Sequence, residues 1–583
     1  VTSQSPAPAP RRHLLTVAVE DYFQAIAFRK LIQQSQWYRF ERRVERNTQK
    51  ALDLLDESGV KATFFTLGWV ADEMPEVVRA IAARGHEVAT KGYYHRTIQE
   101  MTPGEFREDL QRSREAIERA SGIRVVGHRI ARGHLGCEDL WALDVLADEG
   151  FVYDSSFYPR LRSTAGEPWR RFPFVHRHQD RSVQEFPLAT FGWRGWLVPV
   201  AGGAYLRQLP HSLVRRAFEQ WHRRYQSPFV MYFHVWELDP ELPRITAASR
   251  LTRLRQYRNL ERMPSLLRYY LSRYPFEPIR THLGLAPEPA ETRPAVARGT
   301  ARPLELQGGE GRLPVTIVVP CFNEEKVLPY LRNTLSRVTE DLGAGYEVHF
   351  VFVDDASTDR TWEVLHETFG DLPRCQLVRH ETNQGVAAGI LTGLRQATTE
   401  VVCSIDCDCT YDPHQLKDMI PMLGEDVALV TASPYHPSGR VLNVPAWRLL
   451  LSKGLSALYR RVFRQKLHTY TSCFRVYRRS AVKDLEVRET GFLGVAEMLG
   501  LLDLQGRRIV EQPAVLEVRL LGHSKMKLVR TIRGHLRLLA WLVAARARAP
   551  RRADPAPALA PGAGAAPTPG QSETLAREAN GGR

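Results

Sequence analysis

Short apolar runs alternate with amphipathic stretches along most of the chain. HLLTVAV, from residue 13 to 19, is almost wholly apolar and predicts a buried strand. VERNTQKALDLLDESG repeats its apolar positions at helical spacing and closes on Gly59, as a helix does. VKATFFTLG predicts the next strand, PEVVRAIAARG a helix opened by Pro75 and closed by Gly85, and EVAT a third strand. Beyond residue 312, PVTIVVP, VHFVFVD and VVCSID read as strands with helical patterns between them. Strands alternating with helices predict parallel α/β architecture in both halves. Ligands of such folds sit at the carboxyl ends of the strands.

Three segments break the pattern. Residues 1–12 are rich in Ser, Pro and Ala, residues 285–312 mix Pro, Gly, Ala and charge without an apolar period, and residues 553–583 are an Ala/Pro/Gly tail. Such compositions carry too little large apolar surface to fold. The expected organisation is a disordered start (1–12), one unit at 13–284, a linker at 285–312, a second unit at 313–530, a helix at 531–552 and a disordered tail at 553–583. With 583 residues, 43% hydrophobic and 25% charged, the chain has the composition of globular protein. The apolar run Leu14–Val19 is shorter than a secretory signal core and runs into Glu20 and Asp21. No run approaches the ~18 apolar residues of a spanning helix, so neither a targeting signal nor a membrane span is expected. Six of the seven cysteines lie between Cys321 and Cys473 without paired Cys-x-x-Cys spacing, which favours reduced thiols in the cytoplasm over a zinc site.

Charge adds a partner. The 80 Lys and Arg against 65 Asp and Glu leave a net +15, which suits nucleic acid, anionic lipid or a phosphorylated substrate. Residues 519–552 hold ten Arg and Lys and no acid, and Leu528, Val529, Ile532, Leu536, Leu539, Leu542 and Val543 recur at near-helical spacing. That pattern predicts a basic amphipathic helix able to lie on an anionic membrane. A helix packed on its own domain and a nucleic-acid patch are the alternatives. No nucleic-acid motif accompanies it, so no nucleic-acid partner is expected.

Candidate chemistry follows the strands. In the first half these residues are Glu20 and Asp21 of AVEDYF, Lys91 and His95 of TKGYYH, Arg129 of GHRIAR, Asp154 of YDSSFYP and His234 of YFHVWE. This order, with EDYFQ, RVERNT, KATFFTLGW, WALDVLADEGF and VAGGAY, resembles the polysaccharide deacetylases of carbohydrate esterase family 4, in their exopolysaccharide branch, over nearly all of residues 13–280. The resemblance implies a distorted (β/α) barrel. It also implies hydrolysis by a divalent metal held by one carboxylate and two histidines, which polarises the carbonyl and acidifies the attacking water. A carboxylate base and a histidine acid complete that mechanism. In those relatives the first motif would read DVED, and here its leading position is Ala18; the second would read SHGYxH, and here its first ligand is Lys91. Alanine accepts no proton, a loss of roughly 10²–10⁴-fold, and an ammonium repels a metal ion. The expectation is that Lys91 replaces the metal electrostatically, paired with Glu20 or Asp21, while Arg129, Asp154 and His234 persist as remnants of the cleft. No zinc or similar ion is then expected there. Use of Glu20 and Asp21 in a shifted register, as base and ligand, keeps a deacetylase alternative open.

The second half keeps its acids. VFVDDASTD sets Asp354 and Asp355 after one strand, and VVCSIDCDCTYDP sets Asp406 and Asp408 after another. Two carboxylates at Asp-x-Asp spacing can converge on one hard cation, Mg²⁺ or Mn²⁺, that also takes diphosphate oxygens and neutralises a leaving nucleoside diphosphate. With PCFNEE and NQGVAAG, the set resembles the family 2 glycosyltransferases and their GT-A fold over about residues 313–530. The resemblance places Pro320, Asn323, Glu324, Asp354 and Asp355 at the donor nucleotide, Asp406 and Asp408 on the metal, and Asn383 and Gly385 in the donor-side loop. SCFRVYRR, GFLGVAEM and GHSKMK are similar to the polyprenyl-phosphate sugar synthase branch. That implies Glu497 on the acceptor side, as base if the acceptor is a hydroxyl, with Arg475, Arg519, Ser524 and Lys525 toward phosphate. The expected function is inverting transfer from a nucleotide sugar to a lipid-phosphate or polysaccharide acceptor in cell-envelope or exopolysaccharide synthesis, at the inner face of the cytoplasmic membrane. A bifunctional deacetylase/transferase and a non-catalytic glycan-binding scaffold are the alternatives.

Overall fold

In the computed structural model the described residues are 11–130, 135, 137–159, 168–193, 196–200, 202–290, 311–522 and 528–548. The tail at 553–583 and most of the segments expected as start and linker lie outside them.

The first unit contains β1 (His13–Val19), β2 (Thr63–Thr66), β3 (Glu87–Thr90), β4 (Gly127–His128), β5 (Tyr153–Asp154), β6 (Phe174–His178), β7 (Arg181–Glu185), β8 (Thr190–Trp193), β9 (Trp196–Pro199), β10 (Val230–His234) and β11 (Phe276–Glu277). One sheet runs β10-β1-β2-β3-β4-β5-β7-β6, with β11 also on β1, and β8 pairs with β9 separately. Every pairing of that sheet is parallel except β6 with β7. All seven residues of β1 are buried, as a strand covered on both faces requires. The result is a curled, half-barrel sheet, the coarse form of the distorted barrel expected. The antiparallel β6–β7 hairpin occupies one edge and β10 the other, and among the described residues no ladder joins them.

The second unit contains β12 (Leu313–Cys321), β13 (Tyr346–Asp354), β14 (Cys375–Arg379), β15 (Val401–Ser404), β16 (Val427–Ser433), β17 (Arg440–Leu442), β18 (Arg475–Arg478), β19 (Arg508–Pro513) and β20 (Val515–Glu517). Its sheet runs β14-β13-β12-β15-β18-β16-β19, while β17 and β20 pair apart from it. Strands β14, β13, β12 and β15 are parallel, and β18 enters antiparallel to both neighbours. The chain steps outward from β12 to β13 and β14, then returns to β15 on β12's other side. That reversal opens a crevice at the carboxyl ends of β12 and β15. Gly393, on the helix Val386–Gln396, lets that helix approach β12: a Cβ there would lie 2.2 Å from Val318 Cγ1.

The last described helix spans Leu528–Arg548. Leu538, Leu539 and Leu542 are buried, and the Tyr459 hydroxyl shares a 2.7 Å hydrogen bond with His535 Nδ1. The helix therefore packs on its own domain, against Ala446–Val462 and Phe492–Leu504. The packed alternative for the basic amphipathic helix thus holds for one side, where Leu539 and Leu542 belong to the core, while Ile532, Leu536 and Val543 remain exposed. Among the described residues no helix is long and apolar enough to cross a membrane.

Candidate active site

The crevice at β12 and β15 collects the second unit's acids. Asp406 and Asp408 follow β15, Glu324 follows β12, and Arg519 reaches them from beyond β20. The Arg519 guanidinium donates to Glu324 Oε2 and lies 3.4 Å from Asp408 Oδ2. Its Nε donates to the carbonyl of Leu521 at 2.7 Å, which fixes the fork's direction. Burial and the neighbouring charge of Asp408 push the Asp406 carboxyl up to about 7, against the pull of Cys473 and Arg519. Burial works against the charged form of Arg519, but Asp408 and Glu324 outweigh it and raise its pKa. The result is a partly buried set of three carboxylates countered by one guanidinium.

The residues expected on the donor side form a hydrogen-bonded cluster beside this set. Pro320 is in β12 and abuts Gly389, whose Cβ would lie 3.0 Å from the Pro320 Cβ. Asn323 sits at φ +52°; its N–H donates to Ser357 Oγ at 2.8 Å, and its Oδ1 accepts from the Thr358 N–H at 2.7 Å. Asp354, fully buried at the end of β13, accepts from the Ser357 N–H and lies 3.1 Å from Arg379 Nε. The Asp355 carboxylate accepts from the N–H groups of Gln384 and Gly385 (2.8 and 2.7 Å) and from Asn383 Nδ2 (3.0 Å), and lies 2.8 Å from His380 Nδ1. Asp355 thus clamps the 383–385 loop. Gly385, at φ +103°, opens the next helix where a Cβ would lie 2.8 Å from the Thr490 carbonyl oxygen. His380, one residue past β14, is a site residue the sequence reading missed; its strand-end position was the available signal.

The acceptor-side expectations fare differently. Arg475 is fully buried and its guanidinium donates to the carbonyls of Val495 and Tyr470 at 2.8 and 3.2 Å. That geometry ties β18 to a helix, and it replaces the phosphate contact expected of Arg475. Glu497 is buried on the helix Phe492–Leu504, where Oε2 accepts from the N–H groups of Arg488 and Glu489 at 3.1 and 2.8 Å. Ser524 and Lys525 lie outside the described residues.

At the strand ends of the first unit, Lys91 donates to Glu20 Oε2 and lies 3.3 Å from His95 Nε2. Glu20 is also 2.9 Å from His95 Nε2 and 2.9 Å from His234 Nδ1. Burial raises the Glu20 pKa, but Lys91, His95 and His234 together hold it well below the usual carboxylate range. Burial lowers Lys91 and His95, and Glu20 opposes both shifts. Asp21, expected as an alternative partner of Lys91, faces elsewhere. Its carboxylate accepts from the N–H groups of Tyr22, Arg43 and Val44 at 2.9, 2.7 and 3.0 Å, so it caps two turns. Arg129 donates to Thr16 Oγ1 and to Ser155, and burial lowers its pKa to about 10. Asp154 lies 2.7 Å from His128 Nδ1 and accepts from Ser156. Of the expected cleft residues, Glu20, Lys91, His95 and His234 meet, while Arg129 and Asp154 brace strands beside them. The carboxylate-plus-two-histidine set does not fit a metal here, because the Lys91 ammonium is bonded to the very oxygen a cation would need.

Family models match both units. The polysaccharide deacetylase model covers residues 31–146, a domain of unknown function (DUF3473) covers 155–284, and the glycosyl transferase family 2 model covers 316–486. The chain joins a deacetylase-like N-terminal domain to a family 2 glycosyltransferase domain. A dolichol-phosphate mannosyltransferase of Pyrococcus furiosus is 29% identical over 237 residues, which is 39% of this chain and 64% of that one. This chain thus spans less than two thirds of that relative. A polyprenol monophosphomannose synthase of Mycolicibacterium smegmatis is 27% identical over 240 residues, covering 38% of this chain and 88% of that one. Among solved structures, glucosyl-3-phosphoglycerate synthase of Mycobacterium tuberculosis in complex with Mn²⁺, UDP and glucosyl-3-phosphoglycerate covers 41% of this chain and 81% of its own, at 18% identity and a TM-score of 0.31.

Proposed function

We propose that the second unit is an inverting GT-A glycosyltransferase that moves a sugar from a nucleotide donor to a polyprenyl-phosphate-type acceptor. The observation that carries this reading is Arg519 held between Glu324 and Asp408 beside Asp406, in the crevice where the sheet reverses. Relatives matching this unit include a dolichol-phosphate mannosyltransferase and a polyprenol monophosphomannose synthase, which supports the acceptor class.

Asp406 and Asp408 would hold Mg²⁺ or Mn²⁺. Both supply hard oxygen donors, and a cation there would counter the burial and the Asp408 charge that push Asp406 up to about 7. Among the described residues no three His, Cys, Asp or Glu side chains are arranged to hold a metal unaided, so donor diphosphate would complete the shell. When bound, the cation supplies charge neutralisation to the leaving nucleoside diphosphate. Arg519 presents a fixed guanidinium to the same phosphates, and charge-assisted bonds of this kind are the strong ones. Asp355 fixes the donor-side loop through Asn383 and Gly385. A lipid-phosphate acceptor is already an oxyanion, so it needs cations for placement and no base. Ser524 and Lys525 follow Arg519 in sequence and are assigned to that phosphate. Glu497 would be the base only for a hydroxyl acceptor, as in polysaccharide extension.

The acceptor class implies a membrane. The helices Ala446–Val462 and Leu528–Arg548 pack side by side. They expose Trp447, Leu450, Leu451, Ile532, Leu536 and Val543, interspersed with Arg448, Lys453, Arg533 and Arg537. We assign this apolar and basic face to an anionic cytoplasmic-side bilayer surface, with the reaction belonging to envelope or exopolysaccharide synthesis. The deacetylase-like domain is assigned no hydrolysis, since Ala18 offers no base and Lys91 fills the metal seat. Donor screening by thermal shift, with and without Mn²⁺, tests the reading. A Mn²⁺-dependent shift with one nucleoside diphosphate sugar supports it, and indifference to every nucleotide contradicts it. A purely glycan-binding scaffold would give shifts with glycans and none with nucleotides.

A further inference from the structure

The first unit grips the second at specific places. Three hydrogen bonds run from the segment Gln34–Arg39 of the first unit to the loops around the second unit's acids. Arg39 Nη2 donates to Asp412 Oδ1 at 2.8 Å, Gln36 Nε2 donates to Glu517 Oε2 at 2.6 Å, and the Tyr38 hydroxyl meets His414 Nε2 at 2.6 Å. Asp412 ends the loop that begins with Asp406 and Asp408. Glu517 is bound to the same loop, its N–H donating to the Thr410 carbonyl at 2.9 Å. From another part of the first unit, the Thr246 N–H donates to the Leu520 carbonyl at 2.8 Å, and Thr246 Oγ1 donates to the Gly522 carbonyl at 2.6 Å. Those carbonyls immediately follow Arg519. At Gly522 (φ +74°) a Cβ would lie 2.6 Å from Arg519 Nη2, so the turn and the guanidinium are fitted together.

The two grips are therefore placed on the two chain segments whose side chains meet in the crevice. The Arg39 side chain is 5% exposed and that of Asp412 37%, so the guanidinium end of the pair is held inside the protein while the carboxylate end meets solvent. We propose that the deacetylase-like domain acts as an intramolecular clamp, with Arg39 and Thr246 as positioning residues that set the Asp406–Asp408 loop and Arg519 at the spacing the donor complex needs. This inference rests on the transferase reading for its effect on turnover, while the restraint on the loops stands apart from it.

The test compares full-length wild type, Arg39→Ala, Arg39→Lys, Thr246→Val and Arg268→Ala, the last removing an exposed ion pair with Glu57 in the same domain. Hydrogen exchange over residues 406–412 and 517–522 is followed together with the Mn²⁺ dependence of donor turnover. Exchange in 406–412 is expected to quicken in Arg39→Ala and that in 517–522 in Thr246→Val. The Mn²⁺ concentration for half-maximal rate should rise about tenfold, the size of coupling expected between contacting groups, with kcat at saturating Mn²⁺ changed far less. Arg39→Lys should recover part of the loss, and Arg268→Ala should match wild type. Unchanged exchange in the named segments, or a loss in kcat alone with an unchanged Mn²⁺ curve, overturns the clamp. Wild type that turns over no donor overturns the transferase reading instead, and exchange still decides the clamp.

Discussion

Replacing Lys91 with methionine removes one member of a buried charge set while nearly preserving its volume. Lys91 and Glu20 are 3% and 2% exposed at the side chain, so Glu20 would be left anionic and buried, with His95 and His234 as its remaining ion-pair partners among the described residues. Breaking a buried pair from one side costs about 3–5 kcal/mol. The histidines soften that cost in a pH-dependent way. His95 lies 2.9 Å from Glu20, and its pKa is lowered by burial and by Lys91. Without Lys91, the pull of Glu20 is opposed by burial and by His234, and the folded pKa of His95 is expected to rise above its unfolded value near 6.5. A raised folded pKa gives stability that is fully present below the unfolded pKa and lost as pH rises through the folded one. The deficit of Lys91→Met should therefore be smaller at pH 5.5 than at pH 8, where about 3–5 kcal/mol is expected. Urea unfolding of the full chain at both pH values measures it, with the His95 ring resonance reporting the titration. A pH-independent deficit below about 1 kcal/mol would refute the claim that Lys91 is the counter-charge of a buried carboxylate.

Other outcomes follow from the same geometry. Lys91→His removes the ammonium from the Glu20, His95 and His234 set and adds a third imidazole, so that variant should bind one Zn²⁺ or Co²⁺ per chain by metal analysis, yet release acetate from an acetylated glycan only when Ala18→Asp is added. Acetate release by the wild type would overturn the non-hydrolytic assignment. Arg519→Ala leaves Glu324, Asp406 and Asp408 without their guanidinium and should lower kcat/KM for the donor by about 10²–10³-fold, the range for losing one preorganised charge donor. Leu450→Glu with Leu536→Glu should weaken sedimentation with anionic vesicles at least tenfold, since each leucine buried is worth about 1.5–3 kcal/mol. Equal binding of neutral and anionic vesicles by the wild type would count against the membrane assignment.

Much of the fold was legible because strands and helices write different periods into the chain. HLLTVAV became β1 with the same bounds, and EVAT became β3. How far the first sheet curls was not legible, because it depends on pairings such as β1 with β10 between strands far apart in sequence. Neighbouring acids were equally ambiguous from spacing: Glu20 and Asp21 are adjacent, yet one meets Lys91 and the other caps turns through backbone N–H groups. Arg475 carried a surface-like charge, but its depth in β18 was set by neighbours on other strands. In the last helix the pattern gave an apolar face, and only packing against the helices Ala446–Val462 and Phe492–Leu504 divided it between core and surface. The interdomain grip was invisible for a simpler reason. Gln36 and Glu517 are 481 residues apart, and neither sits in a motif.

The central assignment is that Asp406 and Asp408 act with a divalent cation on a nucleotide sugar. The decisive measurement is Mn²⁺-dependent transfer of labelled sugar from the nucleotide donor found by thermal shift to a polyprenyl phosphate in anionic vesicles, for wild type and Asp408→Ala. Wild type should form the glycolipid, stop on chelation of the metal, and lose at least about 10²-fold in rate with Asp408→Ala. Transfer that persists in chelator, or an Asp408→Ala variant as fast as wild type, would contradict the account.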